Sequence, residues 1–358
     1  VDHDFHAVGQ REGRQGPHKE EPLYTAEEAT DVVQYFVPVE YGSPQEIGEG
    51  VRIEFINVGH ILGAGACRVT ITQGNETRKI VFSGDVGRWD MPILQDPSPV
   101  GPADYLLVES TYGNRLHGQT SDIPGELAEI INSTTEAGGN IVIPSFAVER
   151  TQELLYFLAL LSSENKIPNL RIFVDSPMAA KVSTVFVHHP YLFDSDTIKL
   201  ARVLRVSNVT TVRSSRESKA INHIRGSVII ISGSGMCTGG RIKHHLTHNI
   251  GRKESTVLFV GYQAANTLGR EILEGAEKVR ILGEEYEVNA RIAKINGFSA
   301  HADQKELLRW MDMIEGTPKK VFVTHGEPDG ANALRDIIEE HKGWNAQVAQ
   351  YQEVVELD

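Results

Sequence analysis

Five side chains that can bind a metal or transfer a proton lie just past the ends of predicted β-strands: His60, Asp85, Glu109, His301 and His325. Imidazole and carboxylate groups are the ligands with which proteins hold zinc, manganese or iron. A carboxylate beside a histidine that binds no metal can instead orient that histidine as a general acid or base. Because a rigid sheet positions the loops at its strand ends, the pattern predicts one site that combines both tasks.

Asp85 stands in the sequence Val-Phe-Ser-Gly-Asp-Val-Gly at 81–87, which predicts a strand that ends in a tight turn. The glycines on both sides let the backbone bend sharply and let a ligand approach the carboxylate. An ordinary turn aspartate accounts for this motif equally well when it is taken alone. The recurrence of histidines and acids at several strand ends is what favours a site.

The elements that would position these residues follow an α/β pattern. Early strands are predicted around a Gly-Asn turn at 74–75, and later strands alternate with helices, which indicates βαβ units and a mostly parallel sheet. The predicted strands are 52–58, 67–72, 79–82, 106–108, 140–143, 171–174, 228–231, 257–260, 290–295, 320–323 and 348–355. The predicted helices are 25–35, 124–137, 150–162, 303–315 and 330–341.

The length of 358 residues suits two domains, or one domain with a large insertion. Acidic residues outnumber basic ones by 48 to 35, and the net charge of −13 excludes a uniformly basic nucleic-acid surface while allowing a local basic groove. The sequence has no apolar run that could span a membrane and no signal-peptide pattern, which predicts a cytoplasmic protein without membrane contact. Cys67 and Cys237 form no disulfide framework or metal pair, so both are interpreted as small buried residues.

Five motifs in a fixed order resemble one known family. They are Gly59-His60-Ile-Leu-Gly-Ala64, Phe82-Ser-Gly-Asp85, Glu109-Ser-Thr-Tyr-Gly113, Gly297-Phe-Ser-Ala-His301-Ala-Asp303 and Thr324-His325-Gly-Glu327. Together they are similar to the β-CASP branch of the metallo-β-lactamase fold. The resemblance is to the RNA-processing members, the bacterial and archaeal relatives of the nuclease subunit of the cleavage and polyadenylation specificity factor. It extends from about residue 21 to the C-terminus.

The resemblance implies a metallo-β-lactamase αββα sandwich that carries an inserted α/β domain, the β-CASP domain, which grips the RNA strand. The expected boundaries are 1–120 for the second part of the lactamase domain, 121–295 for the β-CASP domain and 296–358 for the C-terminal return. The separation of 192 residues between Glu109 and His301 is large enough for an inserted domain. It also argues against a plain β-lactam hydrolase, which would lack such an insertion.

The resemblance also implies roles for the five strand-end residues. His60 and His325 would each bind one of two zinc ions, and Asp85 would bridge both. Glu109 would bind His301, which would protonate the leaving oxygen while a metal-activated water attacks phosphorus. The implied function is zinc-dependent hydrolysis of phosphodiester bonds in single-stranded RNA, and a histidine at position 325 favours RNA over DNA. The sequence leaves open endonucleolytic cleavage or 5′-to-3′ trimming, and a monomer or a homodimer.

Residues of the inserted domain are candidates for holding the RNA backbone, because they follow predicted strands and open helices or glycine-rich loops. They are Ser145, Arg150, Ser234, Arg241, Gln263 and Arg270. A dinucleotide-binding turn is the alternative for the loop at 232–241, but its spacing is GxGxxxG and the following strand ends without an acid. Each arginine can equally be an ordinary surface or salt-bridged residue. His244 and His245 are adjacent on a helix, point apart and are interpreted as packing or surface residues.

The family's metal site also needs a His-x-His-x-Asp-His motif, which the sequence does not contain. The cluster at residues 2–6 fails because Phe5 stands where the second histidine is required. His60, Asp85 and His325 are three ligands, whereas each zinc prefers about four. The first strands of the sandwich are expected to be missing, so we predict poor metal retention, an uncovered sheet edge and marginal solubility. The chain is therefore expected to be a truncated enzyme, or else a non-catalytic RNA-binding or scaffolding relative.

Overall fold

The structure is a computed structural model, and it describes residues 24–117, 122–193 and 208–358. The His-rich cluster at residues 2–6 lies outside the described residues. Two large sheets organise these described residues, one of seven strands and one of six. The α/β class predicted from the sequence is thereby confirmed.

Seventeen strands are present in the described ranges. They are β1 (Gln45–Gly48), β2 (Val51–Asn57), β3 (Gly65–Gln73), β4 (Glu76–Phe82), β5 (Gly101–Pro102), β6 (Tyr105–Glu109), β7 (Ile141–Pro144), β8 (Arg171–Asp175), β9 (Val209–Thr211), β10 (Val228–Ser232), β11 (Thr256–Phe259), β12 (Lys278–Ile281), β13 (Glu284–Glu287), β14 (Arg291–Lys294), β15 (Ile314–Glu315), β16 (Lys320–Thr324) and β17 (Ala346–Val348).

The helices of the described ranges vary from short turns to four-turn elements. They are α1 (Ala26–Asp31), α2 (Ile123–Glu136), α3 (Arg150–Ser163), α4 (Pro177–His188), α5 (Ser215–Ile221), α6 (Ile242–Asn249), α7 (Leu268–Leu273), α8 (Gln304–Asp312) and α9 (Pro328–Lys342). Short 3-10 turns occur at Val32–Tyr35, Pro190–Leu192 and Asn296–Phe298.

The seven-stranded sheet has the order β1-β2-β3-β4-β6-β16-β17. Strands β1 to β4 form an antiparallel meander, whereas β4, β6, β16 and β17 are parallel. Because β2 is antiparallel to β3 and β3 to β4, strands β2, β4, β6 and β16 all run in one direction. Their C-terminal ends therefore lie at the same edge of the sheet. Helices α8 and α9 cover one face through apolar residues that include Leu307, Trp310 and Leu334.

The six-stranded sheet has the order β14-β11-β7-β10-β8-β9, and all its pairings are parallel. Its central strands are buried on both faces, as is usual when helices cover both sides of a parallel sheet. Helices α2 and α3 pack on one face and α6 on the other. The βαβ pattern predicted for the middle of the chain is confirmed.

An apolar cluster joins the two sheets. Ile93 and Leu94, in the segment between β4 and β5, pack with Phe186 of α4, and Leu62 and Val182 contact the same cluster. Hydrogen bonds reinforce the junction, since the Arg88 guanidinium donates to the carbonyl of Gly297 at 2.6 Å. The two sheets are thus fixed to each other on one side, where the side chains of the strand-end residues converge.

The structure corrects some element boundaries. The strand predicted at 348–355 lies earlier in the chain, at Ala346–Val348, and just beyond it the Ala349 N–H still donates to the Val323 carbonyl at 3.0 Å. Two large apolar side chains of the segment after β17 face solvent, with Tyr351 93% and Val354 90% exposed. The helix predicted at 303–315 ends at Asp312, since Ile314–Glu315 pairs with Gly101–Pro102 instead. Helices α4, α5 and α7 were also missed by sequence reasoning.

The N-terminal segment is unusually exposed for its composition. Its large apolar side chains that face solvent are Tyr24, Val32, Val33, Tyr35, Phe36 and Val37. The capping box predicted at the start of α1 is present, with Thr25 and Glu28 bonded reciprocally. The predicted marginal solubility stays a prediction. Within the described ranges, none of the helices has both the length and the apolar composition needed to cross a bilayer.

Candidate metal and catalytic site

Four parallel-running strands deliver four of the predicted residues to one sheet edge. His60 follows β2, Asp85 follows β4, Glu109 ends β6 and His325 follows β16. His301 lies seven residues after β14 of the other sheet and follows the 3-10 turn Asn296–Phe298. The ring centroids of His60 and His301 are 4.4 Å apart, so residues from the two sheets meet at one point.

The loops that carry His60 and Asp85 pack backbone against backbone. The Gly87 N–H donates to the Val58 carbonyl at 2.7 Å, and a Cβ at Gly87 would lie 2.1 Å from the Gly59 carbonyl. Only glycine fits so close an approach. The glycine turn after β4 therefore fixes the Asp85 loop against the His60 loop.

The Asp85 carboxylate lies between two imidazoles. Its Oδ2 is 3.7 Å from Nε2 of His60, and its Oδ1 is 3.4 Å from Nδ1 of His325. Each oxygen therefore faces a different histidine. This is the arrangement expected of a carboxylate that bridges two cation positions, with one imidazole at each.

Glu109 is 1% exposed and bonds to His301, whose Nδ1 donates to the carboxylate with both oxygens at 3.1 Å. The carboxylate also accepts the backbone N–H of Val86 at 2.6 Å and that of Thr111 at 3.3 Å. Burial alone would raise the pKa of the Glu109 carboxyl, but these hydrogen bonds, with His301 foremost, hold its pKa below the usual value. Glu109 is therefore ionised at neutral pH.

His301 and His60 are adjacent but have opposite pKa shifts. Burial lowers the pKa of His301, yet the Glu109 carboxylate outweighs burial and the pKa is raised overall. The pKa of His60 is lowered to about 4, mainly by burial and also by the charge of His301. A neutral imidazole is the form that binds metals, whereas a protonated one can serve as an acid. The two rings are therefore suited to different tasks.

The donor set fits divalent cations in kind but not in number. Two groups of donor atoms lie close together and share Asp85, one with His60 and His301 and the other with Glu109 and His325. His301 and Glu109 are bonded to each other, which leaves one imidazole and one Asp85 oxygen for each position. Zinc prefers about four ligands. The described residues therefore fit a bridged pair of cation positions, and they complete neither of them.

A cleft of about 830 Å³ lies over these residues. One wall includes His60, Asp85 and His325 from loops of the seven-stranded sheet, and the other includes Phe146 and Tyr262 from the loops after β7 and β11. The Tyr262 hydroxyl donates to the Glu327 carboxylate at 2.6 Å, so one hydrogen bond links the two walls. Burial and the neighbouring Glu327 raise the pKa of Tyr262 to about 12, so the hydroxyl keeps its proton.

Three of the predicted phosphate contacts lie near the start of α3 or in the glycine-rich loop. Arg150 lines the cleft but is buried and paired with Glu153. Ser145 is buried, where its hydroxyl bonds to Thr151. Ser234 bonds within its own loop, accepting the Gly239 N–H at 3.2 Å.

The other three predicted contacts are also bonded internally. Arg241 donates to the buried Asp175 carboxylate at 2.6 Å, Gln263 donates to the Gly235 carbonyl at 2.9 Å, and Arg270 pairs with Glu274. None of the three is among the residues that line the cleft. His245 is fully buried and bonds to Asp175, which agrees with its interpretation as a packing residue.

A basic recess beside the cleft was missed by sequence reasoning. It has a volume of about 240 Å³ and includes Arg115, His117 and Lys294, and it shares Gly261 and Ser299 with the cleft. Burial and the charge of Arg115 lower the pKa of Lys294. Within the ranges that the structure describes, neither cation forms a salt bridge. In sequence the two are isolated basic residues far apart, so only the fold reveals them as a pair.

Two buried acids at the start of α3 were also missed. Burial raises the pKa of Glu149 to about 8 and that of Glu153 to about 7, and the charge of Arg150 opposes both shifts. The sequence Val-Glu-Arg-Thr-Gln-Glu at 148–153 resembles an ordinary solvated helix start, which hides their burial.

Comparison with known proteins gives two family matches. Residues 151–272 match the Beta-Casp domain, and residues 285–349 match the Zn-dependent metallo-hydrolase RNA specificity domain. "Ribonuclease TTHA0252" of Thermus thermophilus is 36% identical over 323 residues, which cover 89% of this chain and 72% of that protein. The "RNase J-like protein" of Methanocaldococcus jannaschii is 29% identical over 313 residues, which cover 87% of this chain and 70% of that protein. "Transcription termination factor FttA" of the same organism is 26% identical, covering 94% of this chain and 53% of the relative, so the chain spans about half of it.

Proposed function

We propose, since this chain belongs to the β-CASP metallo-β-lactamase family of metal-dependent RNA nucleases, that its cleft hydrolyses phosphodiester bonds in single-stranded RNA. The observation that carries the proposal is the Glu109–His301 pair beside an Asp85 carboxylate that faces two imidazoles. An acid, a cation-binding carboxylate and an open cleft are what phosphodiester hydrolysis requires. Relatives whose names contain ribonuclease and RNase J support the choice of RNA.

His60, Asp85 and His325 would hold two divalent cations, with zinc favoured by the family's description. Bound cations would lower the pKa of an attacking water and neutralise the charge that develops on the phosphate. His60 suits this task because burial keeps its ring neutral. Asp85 suits it because each of its oxygens faces a separate imidazole.

His301 would donate a proton to the oxygen that leaves phosphorus. Glu109 binds the Nδ1–H, so the proton available for transfer is the one on Nε2. The carboxylate also raises the pKa of His301, which increases the protonated fraction near neutral pH. Because Glu109 stays ionised, it can stabilise the imidazolium both before and after binding of RNA.

The RNA strand would be held by the basic recess and by the walls of the cleft. Arg115 and Lys294 have no salt-bridge partner in the described part of the chain, so they are available to phosphate oxygens. Among the six contacts predicted from the sequence, Arg150 is proposed to face the strand, since it lines the cleft. Ser145, Ser234, Arg241, Gln263 and Arg270 are proposed to shape the loops around it.

The domain division is part of the same proposal. Residues 1–120 and 296–358 would form the lactamase-like part, because the described strands of the seven-stranded sheet fall in these ranges. Residues 121–295 would form the β-CASP domain, which contains the whole six-stranded sheet. The αββα arrangement implied by the family is proposed for the lactamase-like part.

An RNA cleavage assay tests the proposal. The chain is incubated with end-labelled single-stranded RNA and added zinc or manganese, with and without chelator, beside His301→Ala. We expect cleavage that the chelator abolishes and that His301→Ala loses, while the control His341→Ala, at an exposed position, cleaves normally. Cleavage that persists in His301→Ala or in excess chelator would contradict the proposal.

The shortage of metal donors favours a second candidate, an RNA-binding protein without nuclease activity. Each cation position has one imidazole and one shared carboxylate oxygen in the described residues. Binding of RNA without cleavage at saturating zinc and manganese would support this candidate over the first.

A further inference from the structure

A small cavity lies beside His60 and shares His60, Glu149 and Ala300 with the lining of the open cleft. Its volume is about 20 Å³, and its lining includes Gly59, His60, Glu149, Glu153 and Ala300. A cavity needs roughly 10–15 Å³ to hold one water molecule, so this one is of the right size. It also lies where the two sheets meet, since Glu149 and Glu153 come from the start of α3 and His60 follows β2.

Three polar atoms of the lining residues are buried without a hydrogen-bond partner among the described residues. They are Nδ1 of His60, Oε2 of Glu149 and Oε1 of Glu153. Glu149 is 7% exposed and Glu153 is 3% exposed. The Ala300 carbonyl raises the pKa of His60 but does not meet hydrogen-bond geometry with Nδ1. Buried polar groups in proteins are almost always bonded to protein or to ordered water.

Glu149 is held in an unusual backbone conformation, with φ at +65°. It occupies the N-cap position of α3, but its side chain does not cap the helix. The backbone N–H of Leu62 instead donates toward its carboxylate, and Leu62 belongs to the loop that carries His60. A positive φ at a non-glycine residue persists where surrounding contacts fix it. The side chain of Glu149 is thus directed toward the His60 loop.

We propose that the cavity binds one water molecule, which accepts the Nδ1–H of His60 and bonds to Glu149 and Glu153. Water has two donor and two acceptor positions, so a single molecule can satisfy all three unpartnered atoms. The proposal rests on the proposed function only in that His60 is taken as a metal ligand. Glu149 and Glu153 are then positioning residues, because they act on the cation through His60.

The consequence is that the inserted domain orients a metal ligand of the lactamase-like part. With Nδ1 protonated, the lone pair of the His60 ring is on Nε2, the atom that faces Asp85 at 3.7 Å. Metal-binding histidines usually donate their second N–H to such a partner, which fixes the tautomer and the ring orientation. Loss of the partner typically weakens metal binding by roughly 10–100-fold.

The tautomer of His60 tests the proposal without any metal. Nitrogen-15 NMR of the metal-free chain at pH 8 reports which ring nitrogen carries the proton, and His60→Gln identifies the signal. We expect the Nδ1–H tautomer in the wild type and in Glu149→Gln, which retains an oxygen acceptor. Glu149→Leu removes a carboxylate that holds the water and is expected to give a mixture of tautomers, whereas the exposed control Glu136→Gln leaves the signal unchanged. An Nε2–H tautomer in the wild type overturns the proposal even if Glu149→Leu does not fold.

Cobalt titration gives a second readout that is independent of RNA cleavage. We expect Glu149→Leu to weaken Co²⁺ binding by roughly 10–100-fold and Glu149→Gln to remain close to the wild type. A wild type that binds no Co²⁺ would contradict the metal-dependent function, while the tautomer result would still decide the water site. Equal Co²⁺ affinity in the wild type and in folded Glu149→Leu would overturn the positioning role.

Discussion

Glu109 and His301 are 192 residues apart in sequence, yet Nδ1 of His301 lies 3.1 Å from both carboxylate oxygens of Glu109. The acid ends β6 in the middle of the seven-stranded sheet, and the histidine follows the edge strand β14 of the six-stranded sheet. The hydrogen bond therefore exists only when both sheets are folded and joined. The fold thus couples assembly of the cleft to the protonation of its proposed acid.

Replacement of Glu109 by glutamine should move the pH dependence of cleavage. The Glu109 carboxylate raises the pKa of His301, and the protonated ring is the proposed active form, so wild-type activity falls as pH rises through that pKa. Glu109→Gln removes the negative charge, so His301 loses its proton at lower pH. We expect the fall in rate to shift to lower pH and the rate to drop by roughly 100-fold or more.

The pH–rate profile of Glu109→Gln, measured beside the exposed control Glu340→Gln, checks this expectation. NMR titration of the His301 ring should show the same direction of shift. If the rate of Glu109→Gln fell at the same alkaline pH as the rate of the wild type, His301 would not be the acid.

Zinc content should reflect the few donors at each cation position. After gel filtration without added metal, we expect the wild type to hold fewer than about two zinc ions per chain, because zinc prefers about four ligands. Asp85→Asn should abolish the remaining binding at both positions, since Asp85 faces both imidazoles. Elemental analysis of both proteins, with exposed Asp31→Asn as the control, measures this. Two tightly held zinc ions in the wild type would contradict the predicted poor retention.

The basic recess should contribute to RNA binding more than to the chemical step. Lys294→Ala and Arg115→Ala are each expected to raise KM with little change in kcat, because they would contact phosphates away from the reacting bond. Each should also make the slope of log K for RNA binding against log salt concentration shallower by about 0.7, where K is the association constant. This is the value for one phosphate contact to a single strand. The exposed control Lys253→Ala should change neither quantity. A decrease in kcat with unchanged KM would instead indicate that Arg115 and Lys294 act in the chemical step.

The contact between the His60 and Asp85 loops should be sensitive to a single methyl group. In Gly87→Ala the new Cβ would lie 2.1 Å from the Gly59 carbonyl and 2.4 Å from the His60 nitrogen, so the two loops must separate. We expect a loss of about 1–3 kcal/mol in the free energy of unfolding, together with weaker Co²⁺ binding. Gly125→Ala is the matched control, because its Cβ would meet open space in α2. A Gly87→Ala protein as stable as wild type would show that the loops do not need this close approach.

The sequence predicts the strand-end residues well for a physical reason. Short apolar runs that end in glycine turns can be identified from the local sequence. Parallel strands then bring their C-terminal ends to one edge of the sheet, independently of the conformation of the loops between them. His60, Asp85, Glu109 and His325 lie together for this reason. His301 could not be paired with Glu109 from spacing, because that contact depends on how the two sheets join. The family resemblance supplied this pairing.

The phosphate contacts were harder to predict, because an arginine in a promising loop does not reveal its partner. Arg150 is paired with Glu153 and Arg241 with Asp175, and both acids are buried. Arg115 and Lys294 of the basic recess have no salt-bridge partner in the described ranges, but no sequence motif connects them. The burial of Glu149 was equally hidden, since it depends on contact with the Leu62 loop from the other sheet.

The proposed role of His301 is tested most directly by an RNA substrate in which sulfur replaces the oxygen that leaves phosphorus. A thiolate leaves without protonation, so the rate with this substrate should not need an acid. We predict that His301→Ala cleaves ordinary RNA at least roughly 100-fold more slowly than wild type, yet cleaves the sulfur substrate at a rate close to wild type. Equal losses of rate on both substrates would contradict the assignment of His301 as the acid.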